Sequence, residues 1–220
     1  MASMSELRKR MVARHLAARG ITDSLVLAAM EKVPREAFLP RRLRGRAYAD
    51  APLPIGKGQT ISQPYIVAFM VEALQLKGGE TVLEIGTGSG YAAAILAEIA
   101  REVYTVERIS QLAERAARTL AEGGYANVHV KHADGTQGWV EKAPFDAILV
   151  SAAPASVPPA LRAQLNIGGR LVIPVGPTRW AQDLIRITRR AATRFDSETL
   201  ADVCFVPLIG DTDAGTTTPV

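Results

Sequence analysis

Residues 84–90 read Glu-Ile-Gly-Thr-Gly-Ser-Gly, three glycines at alternate positions directly behind a carboxylate. Glycines let the backbone turn tightly and let a ligand approach with no Cβ in the way, so this stretch could cradle a nucleotide-like molecule. The spacing is Gly-x-Gly-x-Gly and not the Gly-x-Gly-x-x-Gly of dinucleotide sites. Glu107 could accept hydrogen bonds from both hydroxyls of a ribose, each contributing about 1.5–3 kcal/mol. It could instead pair with Arg108 or Arg115, and an acid there would serve a nicotinamide cofactor equally well. Glu84 separates the ligands better: a carboxylate repels pyrophosphate and attracts a cation. A nucleoside carrying a sulfonium and an ammonium, S-adenosylmethionine, satisfies all three features. Asp134 could accept from an adenine amino group while Gly135 admits the flat ring; a plain Asp-Gly turn is the alternative.

These residues need a frame that brings them to one edge. Apolar runs predict strands at 81–85, 102–106, 128–131, 146–150 and 170–175, separated by helices at 91–100, 110–122 with Ser110 as N-cap, and 158–165. Alternation of strand and helix predicts an α/β fold with a parallel sheet, and the three acids then fall at the C-terminal strand ends where ligands collect. Two further runs, 183–188 and 201–207, are expected as an antiparallel pair closing the sheet. Ahead of the sheet, helices are expected at 5–19, stopped by Gly20, from the Asp23/Ser24 cap to Pro34, and at 64–76. Residues 38–63 are rich in proline and glycine and read as an ordered, irregular connection, with the apolar segment 48–55 as a cover for the site.

The chain has 220 residues, 48% hydrophobic against 22% charged, enough apolar area for a core, which excludes a disordered scaffold. A single domain over 1–210 is expected, with 1–63 as helices and a substrate-side loop, 64–210 as the ligand-binding core, and 211–220 as a flexible tail. The net charge of +4 is too small to mark a polyanion partner; Arg41, Arg42, Arg44 and Arg46 are its local concentration. One cysteine, Cys204, allows no intrachain disulfide and no cysteine-built zinc site, and no secretory or membrane-spanning segment is visible, so a cytoplasmic protein is expected. His15, His129 and His132 are read as structural.

Four stretches taken together resemble a known family. Residues 59–64 (Gln-Thr-Ile-Ser-Gln-Pro), 82–91 (Val-Leu-Glu-Ile-Gly-Thr-Gly-Ser-Gly-Tyr), 145–148 (Phe-Asp-Ala-Ile) and 168–176 (Gly-Gly-Arg-Leu-Val-Ile-Pro-Val-Gly) are similar to the signatures of the protein-L-isoaspartate (D-aspartate) O-methyltransferases, as is Phe-Val-Pro-Leu at 205–208. The glycine-rich stretch is common to class I methyltransferases, whereas Thr-Ile-Ser-x-Pro is specific to this family. The resemblance implies a Rossmann-like class I methyltransferase, a mostly parallel seven-stranded sheet flanked by helices with an N-terminal helical extension. It also implies S-adenosyl-L-methionine as donor, S-adenosyl-L-homocysteine as product, no metal, and L-isoaspartyl residues of damaged proteins and peptides as substrate. Carried onto this chain, it assigns Ser62 as the active-site residue and Thr60, Ile61, Glu84, Gly86, Thr87, Gly88, Gly90, Glu107, Asp134 and Gly135 to the cofactor. Ser62, Ile61, Pro174 and Val175 are assigned to the substrate. A monomer with no nucleic-acid or membrane partner is expected.

The chemistry asks little of the residues. A carboxylate nucleophile has a reference pKa of about 4 and is already ionised at neutral pH, so no general base is required. Ser62 would position the substrate, and it could also cap the helix starting near Pro64. Two other readings use the same residues: a methyltransferase for RNA or a small molecule, and a non-catalytic nucleotide-binding protein. Ser151-Ala152-Ala153-Pro154 stands where an aromatic motif for a flipped base would be expected, which speaks against RNA.

Overall fold

The computed structural model describes residues 2–178 and 181–210. Helix α1 (Met4–Met11) opens with a capping box in which Ser3 and Glu6 exchange hydrogen bonds; a π turn (Val12–Leu16) and a 3-10 turn (Ala17–Arg19) continue it to Gly20, left-handed at φ +96°. Asp23 caps α2 (Ser24–Lys32) by accepting from the Leu25 and Val26 amides. Two 3-10 turns follow (Arg35–Phe38 and Arg41–Arg46), the second exposing its four arginines.

The connection is more regular than its composition suggests. It folds into an antiparallel hairpin of β1 (Leu53–Gly56) and β2 (Gln59–Ile61), turning at Gly56, Lys57 and Gly58, all at positive φ. The alternation Leu53-x-Ile55 ahead of a Gly-x-Gly turn was the available signal. The segment 48–55 is a fixed wall and not a loose cover: Tyr48, Leu53 and Ile55 are buried in the core, and the Tyr48 hydroxyl donates to Glu36.

Helix α3 (Pro64–Leu74) leads into β3 (Thr81–Ile85), α4 (Tyr91–Ala97), β4 (Glu102–Glu107), α5 (Ser110–Glu122), β5 (Val128–His132), β6 (Phe145–Val150), α6 (Pro159–Ala163), β7 (Leu165–Thr178), β8 (Ala181–Arg189) and β9 (Phe195–Val203). Ile109, not Ser110, is the N-cap of α5. The sheet runs β5-β4-β3-β6-β7-β8-β9, parallel from β5 to β7 and antiparallel across β7-β8-β9. The expected closing pair is present, but its second strand lies earlier in the chain, because residues after Val203 leave the sheet to bridge Ala153 to Pro207.

Strand residues alternate between two cores. Val82, Leu149 and Val172 face a large cluster with α1 to α5, and Leu83, Ile148 and Leu171 face a smaller one with Leu161 of α6. Fully burying each such side chain stabilises by about 1.5–3 kcal/mol, so the register that keeps both faces apolar is strongly specified. No helix among the described residues is long and apolar enough to cross a membrane.

Candidate active site

The turn from β3 to α4 sits where the sheet order reverses, with β4 on one side of β3 and β6 on the other. The Gly86 amide bonds the Val106 carbonyl at 2.8 Å, which holds the turn against β4. Gly90 caps α4 at φ +88°, and a Cβ there would stand 3.2 Å from Leu120 Cδ1, so no other residue fits without strain. Gly86, Thr87 and Gly88 line a cleft of about 1030 Å³ of open space, together with Thr60, Ile61, Ser62, Glu84, Glu107 and Gly135.

Glu84 does not stand at the mouth of its strand: it is fully buried within β3. The Thr105 hydroxyl donates to its Oε2 at 2.5 Å and shares a 2.6 Å hydrogen bond with Thr87, while Oε1 is buried with no partner among the described residues. Burial pushes the Glu84 carboxyl up to about 8; the Thr105 bond opposes the rise and Glu107 adds to it. A buried carboxyl with an orphaned oxygen on a cleft is matched by a cationic donor, and that observation makes the residues fit a sulfonium nucleoside.

Glu107 ends β4 and braces the loops on either side. Its Oε2 accepts from the Gly88 amide at 2.8 Å and its Oε1 from the Ile109 amide at 2.9 Å. Each oxygen keeps a further lone pair for a ribose hydroxyl. Arg115, the alternative partner, instead donates to the Ile55 carbonyl at 2.7 Å and ties the hairpin to α5. Asp134 caps a 3-10 turn (Gly135–Gln137), its Oδ1 accepting from both the amide and the hydroxyl of Thr136 at 2.8 Å. Gly135 lines the cleft and Asp134 does not. A Cβ on Gly135 would come within 2.5 Å of Ile85 Cγ2, so the turn needs glycine to lie against β3.

Ser62 lies between β2 and α3, half-buried, on the boundary between this cleft and a second one. The two share Thr60, Ser62, Ser151 and Val206, and the second is also lined by Pro52, Gln63, Ile66 and the 202–205 segment. Ser62 does not cap α3. The N-cap is Gln63, which makes no side-chain cap, and the Tyr65 amide bonds Asp50 Oδ1 at 3.4 Å. Among the described residues the Ser62 hydroxyl makes no hydrogen bond, while its carbonyl accepts from Arg35 at 2.7 Å.

Pro174 and Val175 are elsewhere. They pair with Leu184 and Asp183 of β8 and line neither cleft, because β7 continues the sheet there. Residues 203–206 take that place, held by Gln182, whose side chain bonds both the amide and the carbonyl of Phe205 at 2.6 and 3.1 Å. The roles of Arg35, Asp50 and Gln182 carry no local signal in the sequence, where Arg35 stands beside Glu36 and Gln182 beside Asp183. His129 stacks on Tyr104 and bonds Glu102, and His132 bonds the Arg108 carbonyl, both away from the clefts. Among the described residues no cluster of three or more metal-ligating side chains occurs.

Comparison with known proteins agrees with this geometry. The family model for protein-L-isoaspartate(D-aspartate) O-methyltransferase matches residues 6–213. Protein-L-isoaspartate O-methyltransferase 1 of Rhodopseudomonas palustris (strain HaA2) is 61% identical over 209 residues, covering 95% of this chain and 85% of the relative. Protein-L-isoaspartate O-methyltransferase 2 of Marinobacter nauticus is 57% identical over 208 residues, covering 94% and 95%. A Plasmodium falciparum chain described as a protein-L-isoaspartate O-methyltransferase, solved with S-adenosyl-L-homocysteine, superposes with a TM-score of 0.80 at 27% identity, over 95% of this chain and 99% of that one. The fold is thus the Rossmann-like class I methyltransferase fold with an N-terminal helical extension, and the chain belongs to the protein-L-isoaspartate (D-aspartate) O-methyltransferase family.

Proposed function

We propose that this protein methylates the free carboxylate of L-isoaspartyl residues in damaged proteins and peptides, using S-adenosyl-L-methionine, and thereby starts their repair. The observation that carries this reading is the meeting of two clefts at Ser62: one lined by Glu84, Glu107 and a glycine turn, the other by mostly neutral side chains together with Asp202. The donor, when bound, supplies an electrophilic methyl group and leaves as S-adenosyl-L-homocysteine.

The chain's own residues have three tasks. Glu84 would face the positive charge of the donor and Glu107 would accept from its ribose; Gly86, Thr87, Gly88 and Gly135 would line the backbone side of the donor, and Gly90 holds the turn into α4 against Leu120. Thr60 belongs to the shared wall, and Ile61 lines the donor cleft beside it. We assign Ser62 to hold the substrate carboxylate or its neighbouring peptide group by hydrogen bonding, in line with the methyl carbon and sulfur; alignment of this kind contributes up to about 7–11 kcal/mol. Asp134 serves the donor side through its turn, which sets Gly135 against the cleft. Buried Ile55 of the hairpin backs the glycine turn, its Cδ1 3.5 Å from where a Cβ of Gly88 would stand.

Once formed, the methyl ester is attacked by the next residue's backbone nitrogen. The C–N bond of a succinimide forms, methanol leaves, and hydrolysis of the ring returns some normal aspartate. We place the protein in the cytoplasm as a monomer; its lone cysteine, Cys204, is exposed and suits a reducing compartment. The test is the fate of transferred methyl label in an isoaspartyl peptide. It should be released as methanol at neutral pH with succinimide appearing in step, whereas label that stays fixed would point to methylation of another group.

A further inference from the structure

We propose that Arg35 is a positioning residue for methyl transfer: its guanidinium fixes the backbone at Ser62 and so sets the reach of the Ser62 hydroxyl into the cleft. The proposal rests on the reading of Ser62 as the group that holds the substrate.

Arg35 is among the largest fully buried side chains of the described residues, at 0% exposure. Burying a guanidinium is expensive, and a core that needed only volume would be better served by methionine or leucine. What arginine adds is a rigid fork. Its Nε donates to the Ala47 carbonyl at 2.9 Å and its Nη2 to the Ser62 carbonyl at 2.7 Å, joining segments 12 and 27 residues away. The cation also lies over the Tyr91 ring, Cζ 4.8 Å from its centroid. Tyr91 opens α4 directly after Gly90 and lines the donor cleft, so one side chain is braced against both halves of the site.

Ser62 needs such a brace. The β1-β2 pairing ends at Ile61, and α3 begins at Pro64 without a side-chain cap, so neither element's own hydrogen bonds hold the residue between them. If its carbonyl swung free, the Ser62 Cα and hydroxyl would move with it. Displacements of about 1 Å can cost on the order of a hundredfold in rate. Lysine carries the charge but lacks the fork, so it should not replace arginine here.

The experiment is a double-mutant cycle of Arg35→Lys and Ser62→Ala, read as methylation kinetics on an isoaspartyl peptide and as S-adenosyl-L-homocysteine affinity by calorimetry. Arg35→Lys should lower kcat/KM about tenfold to a hundredfold. Affinity for the product should stay within about threefold, and in the Ser62→Ala background the same change should cost less than about twofold. Equal losses in both backgrounds overturn the proposal, since an arginine serving only the fold acts regardless of Ser62. Full activity of Ser62→Ala alone removes the underlying reading and the proposal with it, a distinguishable result. Should Arg35→Lys not fold, the unmodified protein decides by NMR. With S-adenosyl-L-homocysteine bound, the Arg35 Nε–H resonance should shift on adding an isoaspartyl peptide and stay in place with the aspartyl one; no shift overturns the proposal.

Discussion

The donor half and the substrate half of the cleft are built by different means. On the donor side the groups sit on the sheet or within a few residues of it: Glu84 inside β3, the glycine turn after it, and Glu107 ending β4. On the substrate side Ser62 stands on a connection placed by distant residues, Arg35 and Asp50, and the facing wall at Phe205 is held by Gln182, 23 residues away. Sheet pairing spreads the task of positioning over many bonds. Three polar clamps, Arg35 and Gln182 buried and Asp50 partly exposed, concentrate it, and losing a buried one leaves backbone groups unsatisfied at about 1–3 kcal/mol each.

If the halves are separable, substitutions in them should affect different quantities. Ser62→Ala should lose about tenfold to a hundredfold in kcat/KM for an isoaspartyl peptide, the worth of one hydrogen bond to a charged group, with product affinity unchanged in calorimetry. A parallel fall in affinity would merge the halves. Glu107→Ala should do the opposite, weakening S-adenosyl-L-homocysteine binding by roughly tenfold or more and lowering Tm, because the Gly88 and Ile109 amides lose their acceptor. Gln182→Ala should raise the peptide KM by roughly fivefold, the effect of about 1 kcal/mol in placing the 203–206 wall, and change donor affinity less, since Val206 alone of that wall lines both clefts. An equal change in donor affinity would show that the wall serves both halves alike.

The smallest expected effect is a slope with pH. Glu84 is held up to about 8 in the fold against an ordinary 4.5. Between those values the folded chain keeps a proton that the unfolded chain gives up, so its contribution to stability is full below about pH 4.5 and declines as pH rises through about 8. Denaturant melts of Glu84→Gln across that window should show a flatter profile. A cation bound beside Glu84 favours its charged form, so donor binding near neutral pH should release a proton, measurable as a buffer-dependent heat that Glu84→Gln lacks.

The same contrast explains what could be read from the residues alone. The strands, the glycine turn and Glu84 and Glu107 were legible because period, turn chemistry and strand ends are local properties. Glu84's depth was not, since one apolar residue either way along β3 decides which side of the sheet it faces. The hairpin at 53–61 hid behind its prolines and glycines, and the last strand was displaced because 204–207 are as apolar as a strand but leave the sheet. Pro174 and Val175 lie in the sheet and not on the cleft, although the family stretch containing them resembles a signature. Arg35 and Gln182 were invisible for the reason that makes them matter: their partners are distant in the chain.

The decisive measurement is methylation of two peptides of identical sequence, one carrying L-isoaspartate and the other aspartate at one position, with S-adenosyl-L-methionine as the labelled donor. Label should enter the isoaspartyl peptide and essentially none the aspartyl one. Equal labelling of both, or labelling of neither alongside intact donor binding, would contradict it.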